Sequence, residues 1–196
     1  MMTREQFLTD FWNYYLLLEK KFLNAIQYVE LTEKNYETYS IEFVNQLQSL
    51  GSEVDVVFKK MCELPMSKKS TIMSYAHTII GKHPTIVEQE VKILGKNMII
   101  APFEGWNTRC PAQSLFWWKK YNNVKHGRVD HYEDANLKCV LFLLSGLFIF
   151  ENYWLREIAL ATMEPDIPDK RSDLLALVDW KTRYIPSDSI FFEGRM

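Results

Sequence analysis

The sequence predicts a mainly α-helical fold, a bundle of four to five helices with a small β-hairpin insertion. Apolar residues recur every three or four positions over two long stretches near the amino terminus, and a strongly apolar segment occupies residues 135–163. Two further apolar runs flank Gly95, which predicts the hairpin. With 196 residues, 47% of them apolar, the chain fits one domain, residues 1–196, with a substantial core.

The first predicted helix covers residues 4–30. Thr3 and Gln6 have the spacing of a capping box, in which the two side chains satisfy free backbone amides at the start of a helix. A second apolar stripe runs from Tyr36 to Met61 and predicts another long helix that ends near Pro65.

The second predicted helix contains a glycine and, just beyond it, two acidic residues. Gly51 costs about 1 kcal/mol relative to alanine in a helix, so it marks either a close helix contact or a tolerated glycine. Glu53 and Asp55 lie just beyond it, and we interpret them as part of a solvated face. They point to opposite sides of the helix and therefore do not form a carboxylate pair by themselves.

The middle of the chain predicts a short helix and then the hairpin. Residues 70–80 are predicted to form a helix that ends at Gly81 and cannot continue through Pro84. Residues 86–94 and 98–103 then form two strands, because apolar and charged residues alternate in the first run and a glycine-bearing turn separates the two. Residues 86–103 are therefore predicted to be a β-hairpin insertion that packs on the helices.

The carboxyl-terminal half predicts two more helices and an extension. A helix over residues 112–125 ends at Gly127, and Asp130 with Glu133 predicts the cap of a final long helix that reaches Thr162. This helix is apolar on every side, which places it at the centre of the bundle. Residues 165–196 are predicted to be an extension packed on the bundle, with a short helix at 174–178 and an extended tail at 184–192.

Charge and cysteine content exclude several classes of protein. The net charge of −2 gives no global basic field for nucleic acid, so any such binding uses a local patch. The three cysteines have no CxxC spacing, which favours a reduced, cytoplasmic compartment. The apolar run at 139–150 is shorter than the roughly 20 residues of a membrane span, so we expect no membrane association. No spacing of histidines and cysteines predicts a metal site or a cofactor.

The stretch at 117–128 concentrates the residues that could carry chemistry. His126 can act as general acid or base near neutral pH, and Asn122, four residues earlier on the same helical face, can orient it. The candidates for contact with a phosphate backbone or with bases are Lys119, Lys120, Tyr121, Lys125 and Arg128. A structural alternative remains open, because a helix carboxyl terminus favours cations by about 0.3–1 kcal/mol each and the aromatic residues could be core.

The sequence Tyr121-Asn122-x-x-Lys125-His126-x-Arg128, followed by a strongly apolar helix, resembles the HEPN family of small helical domains. Many members are ribonucleases of bacterial and archaeal toxin–antitoxin and phage-defence systems. The resemblance covers roughly residues 7–161 in helix order and is specific only over 121–137. It implies a symmetric homodimer in which two motifs meet, with His126 and Asn122 as the matched catalytic positions.

One position departs from the pattern of the family. The catalytic motif has arginine before the polar residue, and here that position is Tyr121. Two hypotheses follow. The first is a metal-independent endoribonuclease in which Lys119, Lys120 or Arg128 replaces the arginine, although lysine offers a point charge and not a planar fork. The second is a catalytically inactive HEPN-like module that binds RNA, a protein partner or a cognate toxin.

Overall fold

The first helix begins where the capping box predicts. This computed structural model describes residues 2–64 and 71–182 of the chain. α1 (Arg4–Phe7), a π-helical turn (Leu8–Trp12) and α2 (Asn13–Ala25) form one continuous helix. Thr3 Oγ1 accepts from Gln6 N at 3.2 Å, and Gln6 Oε1 accepts from Thr3 N at 3.1 Å. The helix ends before the predicted residue 30, because the backbone tightens into i→i−3 hydrogen bonds at residues 27 and 28.

The next two helices differ from prediction at their ends. α3 (Ile41–Met61) starts later than Tyr36, because Ser40 caps it by accepting from Phe43 N at 3.1 Å. Residues 36–39 are instead held by the start of the last helix, whose amides at 137 and 138 donate to Thr38 O and Tyr36 O. α4 (Ile72–Lys82) contains Gly81 and is not closed by it. α3 ends at Met61, before the predicted end near Pro65, a residue that itself lies outside the described ranges.

The predicted hairpin is present and belongs to a three-stranded sheet. β1 (Val91–Ile93) pairs antiparallel with β2 (Ile99–Ile100), and β3 (Leu175–Leu177) pairs with the other edge of β1. The helix predicted at 174–178 was therefore wrong. The edge of β1 that faces away from β2 has backbone N–H and C=O groups that need partners, and the carboxyl-terminal extension supplies these partners. Just beyond β3, for example, Val178 N donates to Glu90 O at 3.0 Å. The run before β1 is a 3-10 turn (Pro84–Glu88), not strand.

The helix predicted at 112–125 is broken in two. α5 (Pro111–Ser114) and α6 (Phe116–Gly127) meet at Leu115, whose φ of −118° and ψ of 84° are not helical. α7 (Leu137–Thr162) then starts later than predicted. Its cap is Asn136, which accepts from Cys139 N at 3.0 Å, and not Asp130. The intervening residues form a 3-10 turn (Tyr132–Asp134).

α7 is the central helix and contacts α1, α2, α3 and α6. It is longer than the apolar run alone suggested, and by length and composition it could cross a membrane. However, 89% of its most apolar stretch is buried inside the protein, as expected for the core helix of a bundle. Length and composition alone therefore do not distinguish a membrane span from a core helix here, and the burial is typical of a core helix.

The carboxyl-terminal extension is attached to the bundle by polar contacts. The buried carboxylate of Glu19 accepts from Tyr15 Oη at 2.7 Å, from Asp173 N at 2.9 Å and from Ser172 Oγ. The guanidinium of Arg156 lies 3.3 Å from the ring centre of Trp180. These contacts hold β3 in register with β1. The tail predicted at 184–192 lies outside the described residues.

Candidate functional site

The carboxyl-terminal end of α6 presents a basic surface to solvent. Lys119, Lys125, His126 and Arg128 are all exposed. The His126 imidazole makes no hydrogen bond and no ion pair with any residue in the described part of the chain. Its ring is therefore accessible to a ligand from outside this protomer.

Tyr121, which occupies the position of the family's arginine, faces the core. Only 3% of it is exposed, and its ring lies 5.5 Å from that of Trp118. Gly51 of α3 makes this possible, because a Cβ there would lie 2.5 Å from Cγ of Tyr121. The glycine thus marks a close helix contact, one of the two alternatives left open above. Burial removes Tyr121 from the side chains that could contact RNA.

Asn122 and Lys120 are already engaged within the protomer. Asn122 Nδ2 donates to Trp118 O at 2.7 Å, so the amide does not orient His126. Lys120 Nζ lies 3.6 Å from Asp134 Oδ1, and Asn123 Nδ2 donates to Asp134 Oδ2 at 2.8 Å. Asp134 therefore ties the turn after α6 to the helix and neutralises one of the predicted RNA-binding lysines.

The other aromatic residues of the stretch are structural. Trp117 is fully buried, and its Nε1 donates to Pro102 O at 2.8 Å. Trp118 packs against Phe58 with ring centres 5.5 Å apart and keeps 8% of its surface exposed. Lys125 Nζ lies 5.3 Å from the ring centre of Tyr121. These contacts fix the helix and leave the charges at its surface.

A cleft opens beside Asn122, between α6 and the first turn of α4. Its volume is about 870 Å³, including its open mouth. α5 closes one side through Gln113, and Lys119 borders it. The sequence did not predict this cleft, because its walls come from elements about 40 residues apart and no spacing pattern links them.

The acidic residues near Gly51 are not a simple solvated face. Asp55 accepts from Tyr75 Oη at 2.8 Å and pairs with Lys59 at 2.7 Å. Burial raises the pKa of Glu53. Glu151 of α7 is fully buried, and neither carboxylate oxygen accepts a hydrogen bond from a described residue. Burial, and then the charge of Glu53, raise the pKa of Glu151 well above its usual value.

The described ranges hold no cluster of metal ligands, and two of the three cysteines are poor nucleophiles. Within 2–64 and 71–182, no group of three histidine, cysteine, aspartate or glutamate side chains is arranged to hold a metal ion. Burial raises the pKa of the Cys139 thiol, and burial also raises that of Cys62. A buried thiol with a raised pKa is a poor nucleophile, so neither cysteine is a candidate for covalent catalysis.

No protein-family model, no curated protein and no solved structure matches this chain. What the structure establishes is a mainly helical architecture with a small three-stranded antiparallel sheet. The HEPN resemblance remains a hypothesis that rests on residues 121–137. Function is therefore inferred from the site itself.

Proposed function

We propose that this chain is a HEPN-like RNA-binding protein of the defence or toxin type, and that His126 makes it a metal-independent endoribonuclease acting on cytoplasmic RNA. The observation that carries the proposal is the exposed imidazole of His126, which has no hydrogen-bond partner within residues 2–64 and 71–182, among the exposed cations Lys119, Lys125 and Arg128. A phosphodiester placed there meets positive charge, and its neighbouring 2′-hydroxyl meets an imidazole that can accept a proton.

The reaction needs two proton transfers. One group removes the proton of the 2′-hydroxyl as its oxygen attacks phosphorus, and another protonates the departing 5′-oxygen, which leaves a 2′,3′-cyclic phosphate and a 5′-hydroxyl end. A symmetric homodimer would supply His126 twice, once as base and once as acid. Lys119, Lys125 and Arg128 would neutralise the charge that develops on the phosphate oxygens.

We expect the purified protein to cleave single-stranded RNA in the presence of EDTA, and His126→Ala to lower the cleavage rate about 100-fold or more. Gel analysis of an end-labelled RNA measures both. The matched control is His77→Ala, which removes an exposed histidine of α4 and should cleave like the unmodified protein. Equal cleavage by the His126 variant, or none by any of the proteins, would contradict the nuclease.

A second function is favoured by the surroundings of His126. Tyr121 is buried against Gly51, and Asn122 Nδ2 donates to Trp118 O of its own helix, so neither side chain assists His126 in the way that the catalytic motif requires. These observations support a catalytically inactive module that binds RNA or a protein partner such as a cognate toxin.

This second function predicts binding without cleavage. Combined replacement of Lys119, Lys125 and Arg128 by alanine should weaken RNA binding about 10-fold or more and flatten its salt dependence, because three exposed charges no longer release counterions. Fluorescence anisotropy at two salt concentrations measures the change. Unaltered binding of RNA by the triple variant would mean that these cations serve only the helix terminus.

A further inference from the structure

The cleft beside Asn122 has the size of a nucleotide site. About 450 Å³ of it can take a ligand, which lies within the roughly 300–1,000 Å³ of typical ligand pockets. Its described lining comes from Thr71, the cap of α4, from Gln113 of α5 and from Trp118, Lys119, Asn122 and Asn123 of α6. The cleft shares Lys119 and Asn122 with the helical face that carries His126.

Side-chain amides make up most of the polar lining. The exposed side chain of Gln113 makes no hydrogen bond to another residue within 2–64 or 71–182, so its donor and its acceptor are both available. Asn122 and Asn123 each use Nδ2, toward Trp118 O and Asp134 Oδ2, and no described residue donates to either Oδ1, so both oxygens can act as acceptors. Amides in this state recognise the edges of bases, which present donors and acceptors side by side.

The apolar part of the lining suits the plane of a base. Ile72 and the exposed part of Trp118 form this wall, and the indole is held in place by Phe58 and Tyr121, whose ring centres both lie 5.5 Å away. Bases bind to such surfaces by stacking and apolar contact. Among the described residues of the lining, Lys119 alone has a charged side chain, which could neutralise the phosphate of a nucleotide whose base occupies the cleft.

We propose that this cleft holds one unstacked base of a single-stranded RNA, recognised by Gln113, Asn122 and Asn123. The proposal rests on the proposed function, because it places RNA on the same face of α6. Asn122 precedes His126 by four residues, about 6 Å along the helix. A base in the cleft therefore holds the adjacent phosphodiester beside the imidazole and gives the site its preference for unpaired RNA.

The test compares two 12-nucleotide RNAs of equal charge, one with all bases present and one abasic at its central positions. Fluorescence anisotropy should show that the unmodified protein binds the abasic RNA about 10-fold more weakly, since it lacks the stacking and hydrogen bonds of the base. The double replacement Gln113→Ala and Asn122→Ala should bind both RNAs at the weaker level. Gln48→Ala, an exposed glutamine of α3 outside the cleft, should keep the full difference.

A charge variant separates this proposal from the function on which it rests. Lys119→Ala should weaken the binding of both RNAs by the same factor, because phosphate contacts do not depend on the base. Equal binding of the two RNAs by the unmodified protein would overturn the base site and leave backbone binding intact. Binding of neither RNA would overturn both proposals, and a difference that survives the double replacement would place base recognition elsewhere.

Discussion

Tyr121→Arg, which restores the arginine of the HEPN motif, is expected to lower the free energy of unfolding by about 3–5 kcal/mol without creating an efficient nuclease. The position is 3% exposed and faces Gly51, so the charged guanidinium would enter the core. Loss of the aromatic packing against Trp118 adds to the cost. Urea denaturation measures the change.

Lys125→Arg is the matched control, since it introduces the same side chain at an exposed position of the same helix and should change stability by less than about 0.5 kcal/mol. A Tyr121→Arg protein of unchanged stability that cleaves RNA faster would contradict the expectation. It would mean that the arginine reaches the solvent-facing side of α6 and that Tyr121 alone had limited the reaction.

The sequence predicted the helices best where periodicity dominates. The stripes of α2 and α3 and the apolar length of α7 identify them without any knowledge of their neighbours. β3 was predicted as a helix because its five-residue apolar run, residues 174–178, has no period that separates strand from helix. This segment becomes a strand because it pairs with β1, which lies more than 80 residues earlier in the chain.

The candidate site was predictable as a set of residue types but not as a surface. The Asn122 and His126 spacing places both on one helical face, yet the sequence does not reveal that Asn122 bonds to Trp118 O. The same spacing gave no reason to predict that Tyr121 is buried in the core, since its burial requires a residue without a Cβ, Gly51, on another helix. Contacts between elements, and not patterns within them, separate the exposed cations from the buried ring.

Glu151→Met is expected to raise the free energy of unfolding by about 1–3 kcal/mol at pH 7, because it removes two buried oxygens that accept no hydrogen bond from the described residues. Methionine has a similar length and an adaptable side chain, so it should occupy the same space in the centre of the bundle. Thermal or urea denaturation at pH 7 measures the gain.

The gain should depend on pH in a direction that the raised pKa determines. Burial and the charge of Glu53 raise the pKa of Glu151 in the folded state above its unfolded value of about 4.3. The folded state then binds more protons, so the contribution of Glu151 to stability is fully present below about pH 4 and is lost as pH rises through the folded-state pKa. The advantage of Glu151→Met over the unmodified protein should therefore grow from pH 4 to pH 8.

The control Glu104→Gln, at an exposed carboxylate, should show no such growth. A constant or shrinking difference would mean that Glu151 is ionised and paired in the folded protein, which would make it a candidate for function and not a cost of the fold.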